Sequence, residues 1–441
     1  MARSASAIAA EVEDGVREGL LRPEDPLPPI REAAAAVGIA PGTVASAYRV
    51  LGERGITVAQ GRRGTRIAPR PPVVTTAGPS AVGAGADLRR RDRRPPGDGV
   101  LDLASGNPDP VLLPDLSPFL GGISPRQGYD EPPVLPALGE RAEARFRADG
   151  VPDGPIAVVH STMDGVERAL RAHLRPSDTV AVEDPCWPRA IDLLRGMGLR
   201  LLPMPVDSRG PTVDGLDRAL RAGADAVLIT TRVQNPTGAV VTAGRRSDLA
   251  EVLGAHQDVL CIEDDHTAEL SGSPLCSLGG LTARWALIRS SAKAFGPDLR
   301  VSVMTGDPTT ISRVQGGLEL GSGWVSSMLQ QVLVACWNDD MASVTAQATE
   351  IYARRRAAVQ EAFAARGLMA MGRSGLNVWV PVRDEAAAVA RAGERGIRIS
   401  GGARFRLSSP PAVRVTTAAI PAGAVELVAD AVASAASERM A

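Results

Sequence analysis

The feature that most restricts this sequence is its lysine content. Arginine supplies 48 of the 49 basic positions, and Lys293 is the one lysine. Arginine cannot take over chemistry that needs a primary amine, because a guanidinium does not condense with an aldehyde. A composition that otherwise uses arginine therefore predicts that Lys293 is retained for its amine, with a surface lysine left by chance as the alternative.

Length and charge predict a small basic module attached to a larger acidic one. The chain has 441 residues and 44% apolar content, enough for one large domain and a small one. Residues 1–97 contain 15 arginines against 10 acidic residues, a net charge of +5, whereas the remainder carries −6. The difference in charge indicates a small basic module attached to an acidic body.

Several protein classes are disfavoured by the residue pattern. The four cysteines form no CxxC pair, so neither a zinc site nor a disulfide framework is indicated. The first twenty residues contain four acidic side chains, unlike a signal peptide. No apolar run approaches the roughly 18 residues of a membrane span. The sequence therefore predicts a cytoplasmic protein with no metal and no membrane partner.

The N-terminal part has the pattern of a winged helix-turn-helix. Apolar residues recur every four positions between Ile8 and Leu21, which predicts a helix. An alanine-rich helix follows and ends at Gly38, and a second begins near Pro41 and ends at Gly55. Two short β-prone runs in residues 57–67 then flank a basic glycine turn, as expected of a wing.

This part resembles the winged-helix domain of GntR-type bacterial regulators over residues 8–67. The matching positions are Leu27-Pro28, Arg31, Gly38, Thr43-Val44, Ala47-Tyr48, Leu51 and Arg63-Gly64-Thr65. The resemblance implies binding to double-stranded DNA, with the second helix of the motif entering the major groove. The candidate DNA-binding residues are Arg31, Thr43, Ser46, Tyr48, Arg62 and Arg63. The alternative for Arg62 and Arg63 is a solvated hairpin tip.

The sequence predicts three consecutive parts. The helix-turn-helix domain occupies residues 1–67, and residues 68–97 form a Pro/Arg-rich linker without apolar periodicity. Residues 98–441 form the large domain. Its apolar runs alternate with helix-length amphipathic stretches, which predicts an α/β fold with a mostly parallel central sheet. The predicted strands are Ile156–Val159, Thr179–Val182, Ala226–Thr230, Val259–Ile262, Trp285–Ile288 and Val301–Met304.

Polar residues follow five of these strands, where an α/β sheet binds its ligand. The segments are His160–Met163, Glu183–Trp187, Gln234–Gly238, Glu263–His266 and Ser290–Lys293. Each alone has an ordinary structural explanation, since Asn-Pro-Thr-Gly is a common turn and a lone tryptophan is usually part of the core. The spacing favours a shared site: 29 positions separate Asn235 from Asp264 and Asp264 from Lys293, and Arg300 follows seven later.

This order of residues resembles the fold-type I aminotransferases, the aspartate aminotransferase superfamily, over residues 98–441. The resemblance implies that Lys293 binds pyridoxal 5'-phosphate covalently, Asp264 pairs with its pyridine nitrogen and Asn235 binds its phenolic oxygen. The other implied cofactor contacts are Trp187 on the ring face, His266 near the phenolic oxygen, and Arg300, Ser161, Thr162, Met163 and Ser290 at the phosphate. Arg414 matches the arginine that binds an α-carboxylate. Tyr129 matches the tyrosine that reaches the neighbouring subunit's phosphate, which implies a homodimer.

The two resemblances together are typical of the MocR-type subfamily of GntR regulators. They imply a pyridoxal-phosphate-dependent transcription regulator that senses an amino acid or amine through aldimine formation at Lys293. Two alternatives stay open. One is an active aminotransferase, or another amino-acid-modifying enzyme, that carries a winged helix. The other is a DNA-binding protein with a cofactor-free scaffold, which leaves the single lysine unexplained.

Overall fold

The computed structural model describes residues 4–17, 21, 25–53, 55–59, 61, 64–68, 99–126 and 128–437. Two predictions fall on other residues: Arg62 and Arg63 of the wing, and positions 69–97 of the linker, lie outside the described residues. Among the helices described, no single one has the length and apolar character to cross a membrane, although the bent pair 30–37 and 41–52 passes that test jointly by length and composition.

The N-terminal module has the predicted order of helices and strands. Its elements are α1 (Ala5–Arg17), α2 (Ile30–Val37), α3 (Pro41–Glu53), β1 (Thr57–Ala59) and β2 (Thr65–Ile67). The first helix begins three residues earlier than predicted and is described through Arg17, because positions 18–20 of the predicted helix lie outside the described residues. Between α2 and α3, Gly38 adopts a φ of 66° and its amide donates to the carbonyl of Ala34, which ends α2 and turns the chain.

The wing shares one small core with α1, α3 and the segment that precedes α2. The strands β1 and β2 pair antiparallel, and the amide of Leu27 donates to the carbonyl of Thr65 at 2.8 Å, which adds a third segment to the wing. Ala9, Leu27, Leu51 and Ile67 are buried together. The helix-turn-helix is therefore fixed to its wing by apolar packing.

The large domain alternates strands and helices as predicted. Its strands are β3 (Leu101–Asp102), β4 (Ile156–Val159), β5 (Thr179–Asp184), β6 (Arg200–Asp207), β7 (Gly210–Pro211), β8 (Ala226–Thr230), β9 (Leu260–Asp265), β10 (Arg284–Ser290), β11 (Ser302–Gly306), β12 (Asn377–Pro381), β13 (Ile397–Arg398), β14 (Ser400–Gly401) and β15 (Ala412–Thr416). Its helices are α4 (Ser117–Leu120), α5 (Pro136–Ala148), α6 (Thr162–His173), α7 (Pro188–Gly196), α8 (Val213–Arg221), α9 (Ala243–Gly254), α10 (Ala292–Phe295), α11 (Pro308–Glu319), α12 (Ser327–Cys336), α13 (Asp339–Ala364), α14 (Glu385–Glu394) and α15 (Val425–Ser437).

Side-chain caps determine where several of these helices begin. The oxygen of the capping residue accepts a hydrogen bond from a backbone N–H in the first turn, which stabilises a helix by about 1 kcal/mol. Helices α6, α8, α9, α11, α13 and α14 start in this way, at Ser161, Thr212, Thr242, Asp307, Asn338 and Asp384. The short polar residues that end each loop thus fix the first turn of the next helix.

The main sheet has the order β4-β11-β10-β9-β8-β5-β6-β7. Strands β5, β8, β9 and β10 are parallel neighbours. Strand β11 runs antiparallel to both β10 and β4, so β4 points the same way as the parallel set. The carboxyl ends of five strands consequently lie along one sheet edge, as the alternating pattern predicts.

Four of the predicted strand ends were placed too early, since β10 continues through Ser290 and β11 through Gly306 as well. Strand β5 continues through Asp184, and β9 continues through Asp265, so the acidic residues predicted to follow these strands lie within them. Side chains alternate between the two faces of a strand. Glu263 and Asp265 therefore lie on one face of β9 and Asp264 on the other.

A smaller sheet follows along the chain. Strands β12, β15 and β14 form it, with β15 antiparallel to both neighbours. Its apolar residues pack with those of α13, α14 and α15, including Phe363, Val378 and Val413. The sheet is a separate support for β15, which carries Arg414.

A buried network of ion pairs lies on the face of the main sheet opposite to Asp264. Asp265 accepts from Arg232 Nε and Nη2 at 2.9 and 2.6 Å, and from Arg289 Nε at 2.7 Å. Arg289 also donates to Asp149. Removing one partner of a buried ion pair strands the other charge away from water. Asp265 thus ties the ends of β9 and β10 to the segment that follows β8.

We expect Asp265→Asn to lower the free energy of unfolding by about 3–5 kcal/mol, because two buried guanidinium groups lose the fully buried anion that they share and keep only the partly exposed Asp149. The matched control is Asp153→Asn, whose pair with Arg147 is exposed at 3.3 Å and which should change stability by less than about 1 kcal/mol. Urea unfolding followed by circular dichroism measures both. Equal effects from the two variants would contradict a stabilising role for the network.

Candidate functional site

Lys293 lies in α10, just after β10. Its Nζ donates to the carbonyl of Gly106 at 2.9 Å, and the side chain is half-buried. Ser290, the last residue of β10, is buried, and its Oγ accepts from the amide of Ala292 at 3.3 Å. The amine is therefore held at the carboxyl end of the central strands and is not on an exposed surface.

Asp264 lies between the strands that lead to Lys293 and to Asn235. In register it is opposite Ile288 of β10 and Thr230 of β8. His266 Nδ1 is 3.2 Å from Asp264 Oδ1, and both side chains are mostly buried. The structure thus places His266 against the carboxylate that is predicted to bind the pyridine nitrogen, whereas the resemblance had implied a contact with the phenolic oxygen.

Asn235 and Arg414 are in direct contact although 179 positions separate them. Arg414 Nη1 donates to Asn235 Oδ1 at 3.0 Å, and Nη2 donates to the carbonyl of Ala104 at 2.5 Å. The guanidinium lies over the ring of Phe405, 4.8 Å from its centroid. These contacts hold the predicted carboxylate-binding group beside the residue predicted to bind the phenolic oxygen.

Residues 104–106 contact the side chains of both Arg414 and Lys293 through their backbone. Gly106 has a φ of 69°, and a Cβ at this position would lie 2.9 Å from Arg414 Nη1. The left-handed backbone and the close approach of the guanidinium both favour glycine here. Ala104 and Gly106 both contribute backbone carbonyls: that of Ala104 accepts a hydrogen bond from Arg414, and that of Gly106 accepts one from Lys293. Sequence patterns gave no sign of these contacts, because the partners are distant in the chain.

Hydroxyl groups, a helix N-terminus and an arginine occur at one end of the same edge. Ser161 caps α6 by accepting from the amide of Asp164 at 3.1 Å, Thr162 is buried and Met163 is partly exposed. Arg300 is exposed and precedes β11, whose first residue pairs with Val159 of β4. An N-terminal helix turn with a nearby guanidinium is suited to binding phosphate.

Trp187 and Tyr129 differ in how they relate to these residues. Trp187 follows β5 by three positions and is partly buried. Tyr129 is 92% exposed, and its ring contacts Trp324 edge-on at 5.7 Å. Within one chain, Tyr129 is therefore presented on the surface and not brought to Lys293, in keeping with a residue expected to serve a neighbouring subunit.

Buried carboxyl groups near the site were not singled out by the sequence. Burial raises the pKa of Glu183 to about 8, against hydrogen bonds from Thr230 and Gln234 that lower it. Burial likewise raises the pKa of Glu263 to about 7, although backbone hydrogen bonds from Leu278 and a bond from Ser277 lower it. The sequence signal that could have identified them is an acidic residue next to an apolar strand. Acidic residues are seldom fully buried, so one inside a strand indicates a special environment.

Four of the six predicted DNA-binding residues are described. Thr43 and Ser46 lie three positions apart in the N-terminal half of α3, on one face, and both are partly exposed. Arg31 is exposed in the first turn of α2. Tyr48 differs from them, because its hydroxyl donates to the carbonyl of Pro28 at 2.8 Å. Tyr48 therefore supports the start of α2 from within the module.

The residues at the strand ends fit pyridoxal 5'-phosphate in their chemistry. They supply one primary amine, a carboxylate held by a histidine, an amide, an indole, and a group of hydroxyls with an arginine. These are the groups that the aldehyde, pyridine nitrogen, phenolic oxygen, ring face and phosphate respectively require. Lys293, Asp264 and Asn235 follow or lie in three adjacent strands, so one ligand can contact all of them.

Comparison with known proteins agrees with both parts of this description. Residues 99–432 match the family described as "Aminotransferase class I and II", and residues 4–67 match "Bacterial regulatory proteins, gntR family". The chain is 37% identical over 411 residues to the vitamin B6 salvage pathway transcriptional repressor PtsJ of Salmonella typhimurium, covering 91% of this chain and 92% of that one. It is 28% identical to the pyridoxine biosynthesis transcriptional regulator PdxR of Corynebacterium glutamicum, covering 78% of this chain and 76% of the relative.

A solved structure shows the fold of the large domain. Kynurenine aminotransferase of Pyrococcus horikoshii superposes with a TM-score of 0.72 and 21% identity, covering 82% of this chain and 95% of that one. At this identity the likeness concerns architecture alone. The mostly parallel sheet predicted from the sequence is therefore confirmed as that of a fold-type I aminotransferase.

The raised pKa of Glu263 predicts a pH-dependent stability. The folded state holds this proton more tightly than the unfolded state, so the contribution of Glu263 to stability is fully present below pH 4.5 and is lost as pH rises from there through about 7. We expect Glu263→Gln to remove a contribution on the order of 3 kcal/mol to this decline. The measurement is the free energy of unfolding from pH 4.5 to 8. The surface variant Glu167→Gln is the control, and the proposal fails if Glu263→Gln retains the wild-type slope.

Proposed function

Because this chain belongs to the MocR-type GntR regulators, it is a pyridoxal-phosphate-binding transcription regulator, and we propose that its large domain senses an amino acid or amine. The observation that carries the proposal is the contact between Arg414 and Asn235. It joins a carboxylate receptor to a residue that binds the cofactor, so one small ligand can reach both. Bound pyridoxal phosphate supplies an aldehyde that condenses with primary amines.

The cofactor is held, in this proposal, from several strand ends. Lys293 supplies the amine, Asp264 binds the pyridine nitrogen with His266 orienting it, and Asn235 binds the phenolic oxygen. Trp187 covers the ring face. The phosphate is assigned to Ser161, Thr162, Met163, Ser290 and Arg300, with Tyr129 of a second subunit. A homodimer would supply that tyrosine, and its large exposure in the single chain is compatible with this role.

The effector's carboxylate is assigned to Arg414. Its guanidinium is buried, and its ring support by Phe405 fixes its plane. A carboxylate that binds here competes with the carbonyl of Ala104, which now accepts from Nη2. An amine that binds the aldehyde competes for the lysine whose Nζ donates to Gly106. Both displaced contacts belong to residues 104–106, which lie close in sequence to the segment between the two matched family regions.

The N-terminal module binds DNA, and we assign its contacts by position. Thr43 and Ser46 on α3 would meet base edges or phosphates in the major groove, and Arg31 would meet the phosphate backbone. Arg62 and Arg63 remain predicted contacts of the wing. The division into residues 1–67, 68–97 and 98–441 is part of the same proposal, as is a cytoplasmic location.

A second candidate function is control by vitamin B6 itself. The relative that is 37% identical is named for repression of vitamin B6 salvage, and a second relative is named for pyridoxine biosynthesis. In this case the cofactor that binds at Lys293 would be the effector, and no amino acid would be required. An active aminotransferase is the remaining alternative, because the residues for amino-group transfer occur together.

One experiment separates the three functions. The protein's affinity for DNA from upstream of its own gene is measured with and without pyridoxal phosphate, and then with a panel of amino acids, while keto acid is assayed in the same samples. A change caused by amino acids without keto acid accumulation supports the amino-acid sensor. A change caused by the cofactor alone supports vitamin B6 control, and sustained keto acid production supports the enzyme.

We expect borohydride reduction of the cofactor-loaded protein to label one peptide, the one containing Lys293. The sequence offers one lysine, so peptide mass spectrometry locates the pyridoxyl group without ambiguity. Lys293→Ala should lose the label and the visible absorbance band, while DNA binding persists because the helix-turn-helix is unchanged. The assignment of the cofactor site is wrong if the variant keeps the wild-type spectrum.

We expect Ser46→Ala to weaken binding to the specific upstream DNA by about tenfold, corresponding to the loss of one base or phosphate contact worth 1–3 kcal/mol. Fluorescence anisotropy with the upstream fragment measures the change, and a scrambled fragment reports non-specific affinity. Ser343→Ala, on a helix of the large domain, is the control and should bind as wild type. Identical affinities for both variants would exclude Ser46 from the interface.

A further inference from the structure

The loop of residues 402–411 connects β14 to β15 and therefore leads directly to Arg414. It is bound at several points along its length. Phe405 is 1% exposed, its ring lies under the Arg414 guanidinium, and it contacts Trp379 edge-on at 5.8 Å. The position of the guanidinium thus depends on where this loop holds the ring of Phe405.

One carboxylate binds three consecutive residues of the loop. Asp184, the last residue of β5, is 3% exposed and accepts five hydrogen bonds, all from residues 407–409. Oδ1 accepts from the amide of Leu407 and the hydroxyl of Ser409, each at 2.9 Å. Oδ2 accepts from the amides of Ser408 and Ser409 and from the hydroxyl of Ser408, each at 2.8 Å. Hydrogen bonds to an ionised carboxylate are about twice as strong as neutral ones.

The turn that follows Asp184 also contacts the loop through its backbone. The amide of Cys186 donates to the carbonyl of Phe405 at 2.7 Å. Trp187, predicted to cover the cofactor ring, is the next residue. The turn that carries the ring platform and the loop that carries the support of Arg414 are therefore joined at residues 184–186 by six hydrogen bonds.

The other side of the loop is fixed to the small sheet. Glu385, in the first turn of α14, accepts from the amides of Ala403 and Ala412 and from Arg406 Nε at 2.6, 3.1 and 2.8 Å. Glu385 thus ties the loop to Ala412, the first residue of β15 in the small sheet. Asp184 belongs to the main sheet. Of these two acidic residues, Asp184 is the one that sets the loop relative to the cofactor site.

We propose that Asp184 is a positioning residue for effector recognition: it fixes, through residues 407–409 and Phe405, the Arg414 guanidinium relative to the cofactor ring. This inference rests on the proposed function, in which Arg414 binds the carboxylate of an amino acid. Asp184 touches neither ligand in this assignment. Misplacement of a binding group by about 1 Å can cost a factor on the order of 100 in rate, so loss of the carboxylate should be felt at Arg414.

The test uses two probes that react with the aldehyde of bound pyridoxal phosphate whatever the natural effector is. Aminooxyacetate carries a carboxylate, and methoxyamine does not. The ratio of their second-order rate constants, measured by absorbance on the cofactor-loaded full chain, reports how well Arg414 receives a carboxylate. Arg414→Ala provides the reference in which that preference is removed.

We expect Asp184→Asn to lower the rate constant for aminooxyacetate by about tenfold or more and to leave that for methoxyamine within about twofold. An Asn side chain presents an NH2 group to amides that need an acceptor. The exposed variant Asp214→Asn, in α8, is the matched control and should keep the wild-type ratio. The double variant Ser408→Ala, Ser409→Ala keeps Asp184 and removes two of its five hydrogen-bond donors. It should shift the ratio of the two rate constants in the same direction by a smaller factor.

The outcomes are distinguishable. If the ratio of the two rate constants equals that of wild type in both the Asp184 and the Ser408/Ser409 variants, the positioning role is overturned, while Arg414 remains the carboxylate receptor. Equal loss of both rate constants also overturns it, since a merely structural defect affects both probes. If wild type itself shows no preference for aminooxyacetate, or Arg414→Ala does not remove it, the proposed amino-acid receptor fails, and this inference fails with it.

Discussion

The register between β8, β9 and β10 is the constraint on which the site depends. Thr230, Asp264 and Ile288 lie opposite one another across the three strands. The sequence of β9 ends in three consecutive acidic residues, Glu263, Asp264 and Asp265. A shift of one position would exchange the faces of all three. The register therefore decides which carboxylate is available to the cofactor and which ones are buried behind the sheet.

The buried face of β9 shows how that register is held. Burial raises the pKa of Asp265, but Arg289 and Arg232 outweigh it and lower the pKa overall, so Asp265 is an anion. Glu263, two positions earlier on the same face, has hydroxyl and amide partners, and its pKa is raised. The contrast follows from the neighbours, since cations stabilise a buried carboxylate far more than neutral donors do. The anion at Asp265 anchors the strand ends, and Asp264 is left on the opposite face.

The sequence predicted the fold well because the signals for it are local. Runs such as Ile156–Val159 and Ala226–Thr230 match strands β4 and β8 residue for residue, and the glycine stop at Gly38 ends a helix as predicted. The strand ends at Asp184 and Asp265 were missed because polar residues usually mark the end of a strand. Here long-range partners, the loop at 407–409 and two arginines, satisfy them inside the sheet.

The site was predictable in part for the same reason. Residues that follow parallel strands meet at one edge, so Lys293, Asp264 and Asn235 could be grouped from their positions alone. The contacts of Arg414 with Ala104, Asn235 and Phe405 could not, because they join segments that are up to 310 positions apart, and the contact with Ala104 uses a backbone carbonyl. A backbone acceptor leaves no mark on the identity of its residue. Gly106 is the exception, since its neighbour's guanidinium leaves no room for a Cβ.

The contacts of residues 104–106 bear on how a bound effector can influence the rest of the chain. A ligand shifts an equilibrium only by the difference in its affinity for the two states. Arg414 and Lys293 already donate to the carbonyls of Ala104 and Gly106. A carboxylate accepts more strongly than a carbonyl, because it is charged. In the proposed function, an amino acid would therefore bind more tightly to the state in which residues 104–106 have moved away from Arg414 and Lys293. Its carboxylate and amine would act on two carbonyls of one short segment. An amine without a carboxylate would displace one of them, and its effect on DNA binding should be correspondingly smaller.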